Sequence, residues 1–227
     1  VQDAESQTSK LLLFDRDSHQ FEAQWPSDAS EGFQISKMIW ADDRIFLSSA
    51  DSPHLHQLRA ETEDDTSFST QFINAFIEDK MVVDTIIAPT TISHIAYVDG
   101  SVVQATNSFE ESDSILETQS YRHLFLAEAQ GEHVYIWSID EEYWRHINPS
   151  NSESRGIKLG SLISGLTAVP NIYLQHRSPW QGRKQDHAVV ATTFAGEVLL
   201  IEGSTGCLAT TQIGPSLADL STYSETS

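Results

Sequence analysis

Apolar positions along the chain gather in short runs of about four to eight residues bounded by turn-forming residues, and within the runs the period is closer to two than to 3.6. The run RIFLSSA from Arg44 leads through Asp51-Ser52-Pro53 to a second run, HLHQLRA. The same order recurs in TISHIAYV-DG-SVVQATN from Thr91, HLFLAEA-QG-EHVYIWSI from His123 and HAVVATTF-AG-EVLLIEG from His187. β-Branched and aromatic residues concentrate in these runs, so the pattern predicts four β-hairpins. In Asp99-Gly100, Gln130-Gly131 and Ala195-Gly196 a glycine stands where a tight hairpin turn requires positive φ. Further strands are expected before the hairpins, in FQISKMIWA, VVDTIIA and GLTAVPNIYL, and after them, in SFSTQFINAFI, EYWRHI and CLATTQI. The opening segment KLLLFDRDSHQFEAQW reads as strand, turn at Asp15 to Ser18, and strand.

Four strands per unit is blade arithmetic. The hairpin starts at 44, 91, 123 and 187 lie about 47, 32 and 64 residues apart, about 48 on average, where propeller blades run about 40–50 residues. The expected fold is all-β, a β-propeller-like array of about five four-stranded blades. Residues 1–34 would form a half-blade and linker, 35–213 the blades, and 214–227 a flexible polar tail. Five blades lie near the lower limit for closing a ring, so the array is either a small or irregular ring or part of a larger propeller, and the second is favoured.

Two stretches carry a family resemblance. GEHVYIWSID (131–140) resembles the third-strand segment of WD40-type blades, in which a turn precedes an aromatic and aliphatic strand ending in Trp and Asp; here these are Trp137 and Asp140, three residues apart. EVLLIEGSTGCLATTQI, with its turn at Gly203 to Gly206, is similar to a blade of the quinoprotein-type propellers. The resemblance covers about residues 35–213 and implies a repeat protein that presents loops to partners.

Charge narrows the partners. There are 33 acidic against 13 basic side chains, a net charge of −20. The summed field repels phosphate backbones and anionic lipid, so direct nucleic-acid binding by the bulk surface is not expected. No apolar run approaches the roughly 18 residues of a membrane span, and membrane insertion is not expected either. Cys207 is the sole cysteine, which excludes an internal disulfide and suits a reducing compartment. The chain has no acceptable N-x-S/T sequon, because Asn148 is followed by Pro149, and its first residues lack an apolar signal core. A cytoplasmic or nuclear location is expected.

Candidate chemistry is sparse. His54 and His56 form an H-x-H pair whose side chains share a strand face, but two imidazoles without a third ligand read as a packed or solvated strand. Asp15 and Asp17 read as an Asx turn. Cys207, opening an apolar strand, reads as a buried structural thiol. Adjacent acids such as Glu110-Glu111 and Glu141-Glu142 are expected from composition, and no G-x-S-x-G is present. No catalytic, cofactor-binding or metal-ligating residue is assigned. The acidic runs ETEDD (61–65), EESD (110–113) and DEE (140–142) each follow the second strand of a unit; in stacked blades they would share a face suited to solubility or to docking a basic segment. One loop opposes the charge trend: RSPWQGRK gathers Arg177, Arg183 and Lys184 around Trp180, the residue types of binding hot spots, and is the expected partner-binding segment. YWRHI (143–147) alternates as an outer strand and is expected to be structural. The function expected is that of a non-catalytic propeller scaffold mediating protein–protein interactions in a multi-subunit complex. The alternatives are a propeller hydrolase using carboxylates of a central channel and an extracytoplasmic assembly propeller of quinoprotein type.

Overall fold

The structure, a computed structural model, describes residues 9–14, 17–26, 34–61, 68–106, 115–145, 156–170 and 187–210. These are mostly β, in several antiparallel sheets. The chain divides into two compact units, Val1–Ser93 and His94–Ser227.

In the first unit β1 (Leu11–Phe14) and β2 (Phe21–Trp25) pair as an antiparallel hairpin, as the opening segment predicts. A four-stranded meander follows: β3 (Ile35–Ala41), β4 (Arg44–Ser49), β5 (His54–Ala60) and β6 (Met81–Ile87), each antiparallel to the one before. The β3–β4 connection is a two-residue turn with Asp42 at φ 49°, closed by the Trp40 indole N–H, which donates to the Asp42 carbonyl at 2.8 Å. Small acidic residues tolerate the left-handed region better than most, which suits Asp42 to this place.

The strand expected at SFSTQFINAFI is instead a helix, α1 (Phe68–Ile77). Phe72, Ala75 and Phe76 are buried, and their i, i+3, i+4 spacing puts all three on one helical face. A strand through the same residues would turn Ala75 away from the two phenylalanines. The helix stops in a Schellman motif: Asp79 takes φ 57°, Lys80 N–H donates to the Ala75 carbonyl at 2.7 Å, and Asp79 N–H to that of Phe76 at 3.4 Å. It is the only helix among the described residues, and none there is long and apolar enough to cross a membrane. Phe72 and Phe76 join Trp25, Ile45, Leu47 and Leu58 in one cluster, so α1 and the β1–β2 hairpin cover one face of the meander. On the opposite face of β4 and β5, Phe46 and Leu55 are also fully buried. Beside them lies Ser48, whose Oγ is buried with no hydrogen-bond partner among the described residues.

The second unit holds two sheets. β7 (Ile92–Thr106), which begins at the boundary between the units, β8 (Ile115–Glu128), β9 (His133–Ser138) and β10 (Tyr143–Trp144) run as a meander, and β11 (Ile157–Lys158) also pairs with β9. β10 lies opposite Trp137 and Ser138, β11 opposite His133 and Val134, so the two short strands share one edge of β9. The second sheet is the meander β12 (Ile163–Pro170), β13 (His187–Thr193), β14 (Val198–Glu202) and β15 (Leu208–Thr210).

The expected hairpin at Asp99-Gly100 does not form. The chain runs straight through it as the 15-residue strand β7, whose neighbour is the 14-residue β8. One long ladder with a long neighbour satisfies more backbone groups than a pair of seven-residue arms. The Asp99 carboxylate meets His187 Nδ1 at 3.1 Å. The units expected to start at 91 and 123 are therefore one sheet, which accounts for the short interval between them. The hairpins from His123 and His187 do form, as β8–β9 and β13–β14. In the second of these Gly196 has φ 82°, as its turn requires; in the first the positive φ falls on Gln130, at 57°.

Phe125, Val134, Ile136, Val189, Leu199 and Ile201 lead the cluster that joins the two sheets of this unit. The cross-strand pairs Phe125–Ile136 and Val189–Ile201 place these side chains on facing surfaces. On the other face of β8, Leu124 and Leu126 are fully buried as well. Central strands buried on both faces read as apolar runs rather than clean alternations, as HLFLAEA and HAVVA do. Phe125→Ala should cost about 3–5 kcal/mol of stability in urea unfolding. Phe194→Ala, at a ring 71% exposed, should cost under about 0.5 kcal/mol. Ser48→Ala, which removes a buried hydroxyl with no partner among the described residues, should raise stability by up to about 1 kcal/mol.

Candidate functional site

Alternation along β8 directs Tyr121, His123, Phe125 and Ala127 to the face that meets the second sheet. Phe125 and Ala127 sit in the apolar layer, whereas Tyr121 and His123 lie where the layer ends and a polar cleft of about 310 Å³ begins. Its walls include Tyr121, His123, Glu141, Tyr143, Arg145 and Ser204.

The His123 ring is 2% exposed and both its nitrogens are engaged. Nδ1 lies 2.8 Å from the Gly203 carbonyl oxygen, which can only accept, so Nδ1 carries the proton. Nε2 lies 3.1 Å from Arg145 Nη1, which can only donate, so Nε2 presents its lone pair. The partners thus specify the neutral Nδ1–H tautomer. Burial holds the His123 pKa below the usual imidazole range; Arg145 acts in the same direction, against the Gly203 carbonyl, Glu141 and Asp140. Arg145 Nη1 also donates to the Ser204 carbonyl. Nearby, the His187 N–H donates to the Tyr121 hydroxyl at 3.3 Å, and the Gly203 N–H donates to the His187 carbonyl at 2.9 Å. Three side chains of the first sheet and its edge, Tyr121, His123 and Arg145, therefore grip the backbone of the second at His187, Gly203 and Ser204. A Cβ on Gly203 would stand 2.3 Å from the His187 carbonyl oxygen, so this approach requires glycine.

The rim is acidic but occupied. Arg122 pairs with Asp140 at 2.6 Å, and the Ser138 hydroxyl donates to Glu141 at 3.0 Å. Burial raises the Tyr143 pKa, with the hydrogen bond to Glu141 adding to it. What this arrangement does chemically is fasten two sheets: both imidazole nitrogens are engaged, and Arg145 Nη1 bridges His123 and the Ser204 carbonyl.

The candidates named from sequence fare differently. Arg177, Trp180, Arg183 and Lys184 lie outside the described residues. So do Glu110 to Asp113 and residues 62–65, and of the three acidic runs Asp140 to Glu142 is described in full. His54 and His56 have ring centroids 6.0 Å apart, with Nδ1 atoms on Ser52 Oγ and Thr85 Oγ1 at 3.2 and 3.1 Å. Partial burial and the neighbouring His54 lower the His56 pKa. Among the described residues no group of three or more His, Cys, Asp or Glu side chains is placed to hold a metal ion. Cys207, expected to be buried, is exposed, because it precedes β15 at the sheet edge and leaves its thiol outside the layer. Of YWRHI, His146 and Ile147 lie outside the described residues; Tyr143 and Trp144 pair with β9, and Trp144 meets Trp137 edge to face at 5.0 Å. Missed in the sequence were His123 and Arg145; the one local signal was a histidine at a core-facing position of the alternation Tyr121, His123, Phe125, Ala127.

No protein-family model matches the sequence, and no curated protein matches it. Arg145→Ala should destabilise the fold by about 1–3 kcal/mol in urea unfolding at pH 7.5, because it removes the donor to buried His123 Nε2 and one hydrogen bond to the Ser204 carbonyl. Arg122→Ala, whose partner Asp140 is 40% exposed, should cost under about 1 kcal/mol.

Proposed function

We propose that this chain is part of a non-catalytic β-propeller of WD40 or quinoprotein type that holds protein partners within a multi-subunit assembly. The observation that supports the reading is the succession, in chain order, of four-stranded antiparallel meanders whose central strands β4, β8 and β13 each bury residues on both faces. A blade needs this arrangement, since it is covered by a neighbour on each side. Three such meanders and a two-stranded sheet fall short of the blades that close a ring, so closure in this reading draws on strands beyond those described. Fold alone does not assign function; the scaffold reading rests on the absence of a catalytic motif in the sequence and on its uneven charge. A cytoplasmic or nuclear location goes with it.

The partner surface in this reading is the segment holding Arg177, Trp180, Arg183 and Lys184. Its cations and its tryptophan fit an acidic or aromatic partner segment that a surface of charge −20 otherwise repels. Affinity purification with the full chain as bait identifies the partner, and Trp180→Ala combined with Arg183→Glu should weaken that association by at least about 2 kcal/mol with the melting temperature nearly unchanged. Unchanged partner recovery would remove the segment from the interface. Turnover of glycans or esters by the purified chain would favour the hydrolase reading instead.

A further inference from the structure

We infer that His123 is a pH-sensitive latch on the seam between the sheets β7–β11 and β12–β15: protonation of its ring breaks the hydrogen bond from Arg145 and, by pushing that guanidinium away, loosens the first sheet's hold on the Ser204 carbonyl of the second.

Only the neutral ring fits the site. The Gly203 carbonyl takes the Nδ1 proton in either state, but Arg145 Nη1 needs a lone pair at Nε2. A proton taken from water at Nε2 turns that acceptor into a donor and sets an imidazolium 3.1 Å from a guanidinium. Water has a route, because His123 lines the cleft. Arg145 cannot withdraw freely, since the same Nη1 serves the Ser204 carbonyl.

The charged and titratable neighbours leave little to absorb the new charge. On β8 the neighbour is Tyr121, with its ring centroid 4.9 Å from that of His123 and its hydroxyl on the His187 N–H. From the β9–β10 turn come Asp140, engaged by Arg122, and Glu141, engaged by Ser138 and Tyr143. β10 and its continuation bring Tyr143 and Arg145. From β13 comes His187, whose ring is paired with Asp99 of β7, and at the end of β14 Glu202 accepts the Thr205 hydroxyl. Burial and Arg145 keep His123 neutral, and the two carboxylates oppose them without reversing the balance.

The sign follows. A histidine held below its ordinary value in the folded chain binds its proton more readily when unfolded, so the folded form is favoured above about pH 6.5 and loses that advantage as the pH falls toward the depressed folded value. Urea unfolding of wild type and His123→Gln between pH 7.5 and 5 tests this, because glutamine retains a donor and an acceptor but does not protonate in this range. The wild-type folding equilibrium constant should fall up to about tenfold per pH unit more steeply than that of the variant below about pH 6.5. Equal slopes would overturn the latch. Should the variant not fold, ¹⁵N imidazole NMR of the wild type decides. A neutral Nδ1–H ring at pH 7.5, titrating below the ordinary range as the Gly203 amide loses hydrogen-exchange protection, supports the proposal. An Nε2–H tautomer, a ring already cationic at pH 7.5, or titration without loss of Gly203 protection overturns it.

Discussion

Phe125, Ile136, Val189 and Ile201 exclude water from the space between two sheets, and any polar group that enters this space must find its partner inside it. Each fully buried side chain of this kind contributes about 1.5–3 kcal/mol, which is why the layer, rather than any ion pair, dictates how the second unit is assembled. The layer has to end somewhere. Where it ends, strand alternation still points inward, and the inward positions there are Tyr121 and His123. Both are amphipathic: their rings continue the apolar surface while their polar atoms reach the backbone of the facing sheet.

The first unit solves the same problem with a helix. One face of its meander is covered by α1 and the β1–β2 hairpin, through Phe72, Phe76 and Trp25. A helix carries its own backbone hydrogen bonds and asks nothing polar of the sheet it covers, whereas a sheet edge and its turns do. This is consistent with the polar contacts. The seam of the second unit is closed by Arg145, His123 and Tyr121 on backbone groups, while α1 ends on its own carbonyls at Asp79 and Lys80.

Most strands were legible because their turns are. Asp51-Ser52-Pro53, Gln130-Gly131 and Ala195-Gly196 interrupt apolar runs at places where the chain does reverse. Asp99-Gly100 has the same local chemistry, and the chain passes straight through it: a turn dipeptide permits reversal but does not compel it when a long neighbour such as β8 offers a ladder. SFSTQFINAFI folds as a helix rather than the expected strand for a related reason. Its phenylalanines and isoleucines favour strand by residue type, while their spacing favours helix, and the apolar face available for burial decided between them. The clasp was beyond local reading altogether. His123 and Gly203 are 80 residues apart, and nothing near either residue announces the other. Arg177, Trp180, Arg183 and Lys184 lie outside the described residues.

The clasp also bears on that segment through its root. Residues 171–186 leave the sheet at Pro170 and return at His187, and these two residues are register partners in β12 and β13. His187 is at the same time the most heavily committed backbone position of the seam: its N–H donates to Tyr121, its carbonyl accepts from Gly203, and its ring meets Asp99. The root at His187 is thus held by three contacts from two strands and a turn: Tyr121 of β8, Asp99 of β7 and Gly203 after β14. Tyr121 and Gly203 each touch both His187 and His123, so the buried ring and the backbone at His187 share two contacts and belong to one polar cluster at the end of the apolar layer.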